Sequence, residues 1–447
     1  YKFTTFVKRT PKRVKKLGLR YRRVCVCAKC FNLEQKTEAL KNLGNRKGIK
    51  NIDYQTSALS KMSMCSYDEI PERSCLDRKC NACGTDKIKR YLHPFLSNSI
   101  KQESLHWYEW QQIDTEVETK SGAKKRRKWE QVEKNGTAQE VVRKVCEDME
   151  QHSFHLVRAK YQNNVSEQIK KNLPLDAMFV VMDFSQNIQI QPQDEIEAAH
   201  WTLNTVTLHP MVVVRHSKES TTEKPILQTE TIPIISDRKL HDSDAVLGFT
   251  EKLLCHVNKY PGPCPIKTIH RMSDNCASQY KSKHAFSHIP IIQQRYGVKI
   301  LYHYTEAGHG KGPADGVGAT LKQKLVRLIV GEKAVVTSAL DVYNVLKEDM
   351  QTSGHYADSN RYLYYVPKSE IEALAPGMSP FKTVKGTRSF HFANHLGTND
   401  PPLLKCCELG CGCKVCIAGA SGSCPNASLK GKTIKTNPLL TARCILT

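Results

Sequence analysis

From Asp176 to Val330 the chain alternates apolar, β-branched runs with amphipathic stretches, and this alternation constrains the fold more than any other feature. Ala177–Met182 is a continuous apolar run, as in a strand buried on both faces. Leu203–Arg215 and Ile226–Ile235, rich in Val, Thr and Ile, read as two more strands. Asp242–Asn258 has helical spacing and stops at Tyr260-Pro261-Gly262. Ile266–Met272 and Val298–Tyr304 are further strands. Between them Ala277–Tyr296 reads as a helix, kinked at Pro290 and closed by Gly297. Gly316–Val330 is the last helix, with Leu321, Leu325 and Leu328 on one face.

The predicted order is strand, strand, strand, helix, strand, helix, strand, helix. Strands joined by short turns pair antiparallel, and strands reached through helical crossovers run parallel. The expected fold class is therefore α/β, an RNase H-like mixed sheet. Composition sets other regions around it: a basic arm at 1–24, a cysteine module at 25–90 and a helical region at 91–172. The core spans 173–335, followed by an extension at 336–400 and a cysteine cluster at 401–447. Within the helical region, Thr137–Lys171 puts Val141, Val145, Met149 and Leu156 on one side, and Lys120–Lys128 reads as a charged loop. Trp107 and Trp110 read as core aromatics rather than base-stacking platforms.

Asp183 directly follows the first strand, and Asp274 follows the fourth. In the predicted order those strands are parallel neighbours, so both carboxylates leave the sheet at one edge. Two unscreened carboxylates that close repel unless a cation sits between them. Magnesium or manganese would supply that cation, and a pair of such ions supports phosphodiester chemistry. A third carboxylate is expected from the segment Glu306–Lys322, where five glycines permit close backbone approach. Glu306 and Asp315 are both candidates. This segment is not a phosphate-cradling P-loop, because its Gly-Lys pair lacks a following Ser or Thr. His309 lies in it and stands out among the histidines; His209, His270 and His303 read as core or surface groups.

Of eighteen cysteines, fourteen gather at the two ends, seven between Cys25 and Cys83 and seven between Cys406 and Cys444, and only four lie in the long middle. Pairs at two-residue gaps suit one tetrahedral zinc better than disulfides. Cys27, Cys30, Cys65, Cys75, Cys80 and Cys83 are the expected ligands of an N-terminal zinc module. Cys407, Cys411, Cys413, Cys416 and Cys424, beside Cys406, form a candidate second cluster. Cys255, Cys264 and Cys276 read as ordinary buried thiols.

The formal net charge is +23, which favours a polyanionic partner, DNA being the expected one. Eleven Lys or Arg and no acid fall between Tyr1 and Lys29, including Arg22 and Arg23, and Lys124–Lys128 is a second basic run. Such runs serve equally as a nuclear localisation signal or as DNA contacts. Eighteen consecutive apolar residues occur nowhere, so no membrane span is expected. Opening at Tyr1 rather than Met, the chain is expected to be a fragment of a longer polypeptide.

Three motifs together carry a resemblance. Asp183-Phe184-Ser185-Gln186-Asn187, Ser273-Asp274-Asn275-Cys276-Ala277-Ser278-Gln279-Tyr280-Lys281 and His309-Gly310-Lys311-Gly312-Pro313-Ala314-Asp315-Gly316 resemble those of DDE/D transposase-derived proteins of animal genomes. Asp315–Lys322 is also similar to the start of the catalytic helix of retroviral integrases. The resemblance covers roughly residues 25 to 330. It implies a nuclear, divalent-metal-dependent DNA strand transferase with Asp183, Asp274 and Asp315 as its acidic triad. Lysines after the acidic residue touch DNA in that resemblance, and Lys281, Lys311 and Lys322 are the expected DNA contacts; a homo-oligomer is left open as a partner. An inactive DNA-binding derivative and an RNase H-like nuclease without strand transfer are the competing expectations.

Overall fold

The computed structural model describes residues 27–65, 67, 72–119, 122–190, 204–354, 359–374, 384–396, 403–418, 424–431 and 433–436. The chain divides into two compact units. Of the described residues, the first holds those up to Leu59 together with those of Thr85–Met149; the second holds those of Ser60–Gly84 and those from Glu150 onward.

The first unit contains helix α1 (Ala28–Lys47), hairpin strands β1 (Ser104–Thr119) and β2 (Gly122–Thr137), and the start of the long helix α2 (Ala138–Lys171). The hairpin corrects the expectation of a helical region over 91–172 and of a charged loop at Lys120–Lys128: only Ala138–Lys171 is a long helix there. Inward and outward positions alternate along β1, with Leu105 and Trp107 buried between exposed neighbours. Helix α1 docks on this strand through Asn32, whose carboxamide donates to the Trp110 carbonyl at 2.9 Å and accepts its N–H at 2.8 Å. Phe31 packs edge-on against Trp110.

In the second unit the elements are β3 (Ala177–Met182), β4 (Ser185–Ile190), β5 (Asn204–His209), β6 (Met211–His216), β7 (Leu227–Thr231), β8 (Ile234–Ser236), α3 (Ser243–Lys259), β9 (Thr268–Ser273), α4 (Lys283–Tyr296), β10 (Lys299–Tyr304), α5 (Pro313–Val330), α6 (Ala339–Thr352), β11 (Tyr364–Tyr365), β12 (Phe392–Leu396), β13 (Leu403–Cys407) and β14 (Thr433–Thr436). The main sheet is mixed and ordered β14-β13-β12-β10-β9-β3-β6-β7. Strands β3, β9 and β10 are parallel; β6 and β7 run antiparallel on one flank, and β12–β14 on the other. Strands β12, β13 and β14, from the regions 336–400 and 401–447, thus extend the sheet that holds β3, β9 and β10.

Both faces of β3 are covered, which is why it reads as an unbroken apolar run. Met178, Val180 and Met182 pack with Phe249, Leu253, Phe286 and Ile289 of α3 and α4. Ala177 and Phe179 pack with Val165 and Ile169 of α2.

Leu203–Arg215 and Ile226–Ile235 each prove to be two strands, broken at Pro210 and Pro233, because proline has no N–H for the ladder. At each break the chain changes sheet, leaving β5 for β6 of the main sheet at Pro210 and leaving β7 of the main sheet for β8 at Pro233; the second sheet, ordered β11-β8-β5-β4, packs on α5 and α6 through Leu321, Leu325, Val342 and Leu346. The β3–β4 connection turns at the same level. Asp183 N–H donates to the Pro210 carbonyl at 3.3 Å, and Met211 and Ile232 exchange backbone bonds of 3.3 and 2.8 Å. Three consecutive bends thus make one corner, and Asp183 stands on it.

Two helices begin elsewhere than their periodicity predicts. α4 starts at Lys283 rather than Ala277, where Ser282 Oγ accepts the Ala285 N–H as an N-cap, and Pro290 lies within it. α5 starts at Pro313 rather than Gly316, since a proline's fixed φ suits the first helical position.

Candidate functional site

Asp183 and Asp274 follow β3 and β9, adjacent parallel strands, so they emerge at the same end of the sheet. Asp274 Oδ1 accepts the Cys276 N–H at 3.0 Å, which fixes the carboxylate over the start of the following loop. Asp315 arrives on the first turn of α5, where its Oδ2 accepts the Gly312 N–H at 2.8 Å. α5 comes close because glycines let it: a Cβ on Gly318 would lie 2.7 Å from Ser185 Oγ, and one on Gly310 would lie 2.9 Å from Asp274 Cβ.

Asp183 and Asp274 feel their acidic neighbours. Burial, then the charges of Asp274 and Asp315, push Asp183 up to about 7. Burial and the Asp315 charge likewise raise Asp274. An all-oxygen donor set whose members repel is the kind that takes a hard divalent cation. The grouping is looser than a single-ion cage: the sets among the described residues whose ligand atoms all fall within 4.8 Å do not include these aspartates.

Glu306, the other candidate third carboxylate, is engaged elsewhere. Its Oε1 lies 2.8 Å from His155 Nδ1 and its Oε2 2.7 Å from His391 Nε2. Arg158 reaches it at 3.1 and 3.2 Å. Burial alone would raise its pKa, but the hydrogen bonds from His155 and His391 and the Arg158 charge hold it far below the usual carboxylate range.

Among the neighbours of the aspartates, His241 carried no sequence signal, whereas Phe184, Asn187 and Tyr280 belong to the quoted motifs. Phe184 stacks on His241 at 4.3 Å, and His241 Nε2 lies 2.5 Å from Asn187 Oδ1. His209 is a core histidine, with Nε2 3.1 Å from the Tyr280 hydroxyl and a pKa lowered to about 3 by burial.

The basic candidates separate. Lys281 is buried, and its ammonium donates to Asn275 Oδ1 at 2.5 Å and to the carbonyls of Thr387 and Phe390. It therefore ties the β9–α4 loop to the chain ahead of β12 and is not open to a phosphate. Lys311 is exposed and Lys322 half-buried on α5. Arg22 and Arg23, with the whole basic arm and Cys25, lie outside the described residues.

Two sets of four thiols could each hold a zinc ion. In one, Cys65, Cys75, Cys80 and Cys83 lie within 4.8 Å of one another, and Cys65 Sγ stands 3.4, 3.7 and 3.6 Å from the other three sulfurs. In the other, Cys411, Cys413, Cys416 and Cys424 are grouped as closely, with Cys424 Sγ 3.7 and 3.8 Å from Cys411 and Cys413. Tetrahedral zinc thiolates place sulfurs about 3.8 Å apart, so both sets fit. Outer donors are also present: Asn426 Nδ2 lies 3.5 Å from Cys411 Sγ, and Lys430 Nζ lies 3.2 Å from Cys416 Sγ. Cys407, expected in the second set, instead stands 3.6 Å from Thr433 Oγ1, because the antiparallel pairing of β13 with β14 sets the two residues opposite each other. Cys255 is exposed and Cys264 and Cys276 are half-buried, against the expectation of buried thiols. Cys27 and Cys30 belong to the first unit, at the start of α1, where the hydrogen bond with Cys27 raises the Cys30 pKa.

No helix among the described residues is long and apolar enough to cross a membrane. Comparison with curated proteins gives no match, and neither does comparison with solved structures. One family model does match, over residues 162–400, more than half of the chain, and it describes a domain of unknown function (DUF8701). That span takes in β3 to β12 and all three aspartates, and by it the chain belongs to the DUF8701 family.

Proposed function

We propose that this protein is a divalent-metal-dependent DNA-processing enzyme of the transposase type, with an RNase H-like core and Asp183, Asp274 and Asp315 as its acidic triad. One observation carries the reading: Asp183 and Asp274 leave the adjacent parallel strands β3 and β9 at the same end, α5 starts with Asp315 on their side, and burial first, then the charges of these neighbours, raises the pKa of Asp183 and of Asp274. Five strands in the order β10-β9-β3-β6-β7, parallel on one side of β3 and antiparallel on the other, support the RNase H-like core. The engagement of Glu306 with His155, Arg158 and His391 favours Asp315 as the third acid.

Magnesium or manganese held by these aspartates would polarise a phosphodiester and acidify an attacking water. The chain's part is to fix three carboxylates against their mutual repulsion, through the corner bonds at Asp183, the Cys276 N–H at Asp274 and the helix start at Asp315. The net charge of +23 and the exposed Lys311 beside the site suit a DNA backbone, and with it a nuclear setting. The two thiol sets serve the fold as structural zinc sites.

The test is manganese-dependent nicking and joining of supercoiled DNA by the purified chain. Single Asp→Asn changes at 183, 274 and 315 should each abolish cleavage and leave DNA retention in a filter assay intact. Robust cleavage by Asp183→Asn would sink the proposal. Strong DNA retention without cleavage by the parent would instead mark a DNA-binding derivative.

A further inference from the structure

His155 and His309 belong neither to the aspartate triad nor to a four-thiol set, yet their Nε2 atoms face each other at 3.0 Å with the rings edge to face. We propose that they are two ligands of a further zinc site, which anchors the glycine-rich loop to α2.

The tautomers follow from Glu306. That carboxylate takes two N–H groups of Arg158 and faces His391 Nε2, and a carboxylate ringed by donors acts as the acceptor. His155 Nδ1 therefore donates to it, and the lone pair of His155 sits on Nε2, the atom that faces His309. A carboxylate behind a buried imidazole, fixing its tautomer and direction, is the usual outer layer of a metal-bound histidine. Two imidazole nitrogens on one tetrahedral zinc stand roughly 3.3 Å apart, close to the separation observed. A plain imidazole–imidazole hydrogen bond would also fill this gap. It would leave unexplained why a charged assembly of Glu306, Arg158 and His391 is built around the far side of His155. Two imidazoles fill half of a zinc ion's shell, and the other positions take water or further donors.

The site has a purpose in the fold. His309 precedes Gly310, whose backbone lies against Asp274, and the same loop delivers Asp315 on α5. A glycine-rich segment has little packing of its own to hold it. Clamping His309 to a buried residue of α2 fixes the loop at the position where it meets the aspartates.

Metal counting tests this independently of any activity. The full chain, purified without chelator, is measured by elemental analysis as the parent and as His309→Ala, His309→Cys and His155→Ala. The expected result is one zinc fewer per chain in both alanine variants and the parental count in His309→Cys, because a thiolate replaces the imidazole. Zinc-edge X-ray absorption of the unsubstituted chain, which needs no variant to fold, should show nitrogen as well as sulfur in the first shell. An unchanged count in His309→Ala, or an all-sulfur shell in the parent, overturns the proposal.

Discussion

Gly310 packs directly on Asp274: a Cβ at position 310 would stand 2.9 Å from the Asp274 Cβ and 3.2 Å from Thr305 Oγ1. Real Cβ atoms do not approach that closely, so Gly310→Ala must push the loop away from β9. The fold has little reason to notice, since the loop lies outside the main core clusters. Cleavage should suffer much more, because misplacing a catalytic group by about 1 Å costs on the order of a hundredfold. Single-turnover cleavage alongside a thermal melt checks this; parental cleavage with an unchanged melt would show the contact to be dispensable.

Asp183 gives a pH dependence whose sign can be worked out. Its pKa rises from the ordinary carboxylate range to about 7 in the fold, burial being the main cause. Between roughly pH 4 and 7 the folded chain binds a proton that the unfolded chain has released, so without divalent ions stability falls as pH rises through that window. At about 1.4 kcal/mol per unit the loss has an upper bound of about 4 kcal/mol. Asp183→Asn removes the charge, so it should melt higher than the parent at pH 8 in the absence of divalent ions. It should also lose most of the stabilisation that the parent gains from manganese. A variant that melts lower and keeps the full manganese effect would contradict this.

Glu306 and Asp315 should fail in opposite ways. Glu306 is a buried anion satisfied by His155, Arg158 and His391, and removing one partner of such a group typically costs about 3–5 kcal/mol. Glu306→Gln is therefore expected to unfold at markedly lower urea concentration. Asp315 is exposed and caps α5 through the Gly312 N–H. Asn caps nearly as well, so Asp315→Asn should keep its stability within about 1 kcal/mol and lose cleavage. Intact cleavage by Asp315→Asn would remove it from the triad.

How far these features could be read beforehand depends on the range of the interactions behind them. β3 was legible because burial on both faces leaves an unbroken apolar run, and α3 because its Asp242 cap and Pro-Gly stop are local signals. The β1–β2 hairpin was not. Its alternation is carried by Glu, Gln, Lys and Trp, and the first three are residues with good helix propensity. The breaks at Pro210 and Pro233 were visible as residues, but that they fall level with Asp183 is a property of the assembled sheets. The cradle of Glu306 lay beyond any pattern, since His155 and His391 are 151 and 85 residues away in sequence. Lys281 misled because a lysine in a loop reads as surface until the carbonyls that surround it are known.

The thiol sets make a last, sharp distinction between neighbours. Cys407 and Cys411 are four residues apart and both buried, and spacing alone made both ligands. In the fold Cys407 faces Thr433 from β13, whereas Cys411 Sγ lies 3.7 Å from Cys424 Sγ and receives the Asn426 side chain. Cys407→Ser exchanges one small group for another beside a hydroxyl, and it should leave the zinc content of the chain unchanged. Cys411→Ser removes a thiolate from a four-sulfur set, so one zinc per chain should be lost. Because binding energy at structural zinc sites is folding energy, β13 and β14 should then lose amide-exchange protection, while β1 and β2 of the first unit keep theirs. Elemental analysis of the two variants decides it: equal zinc content in both would mean that the second set is not a metal site as drawn.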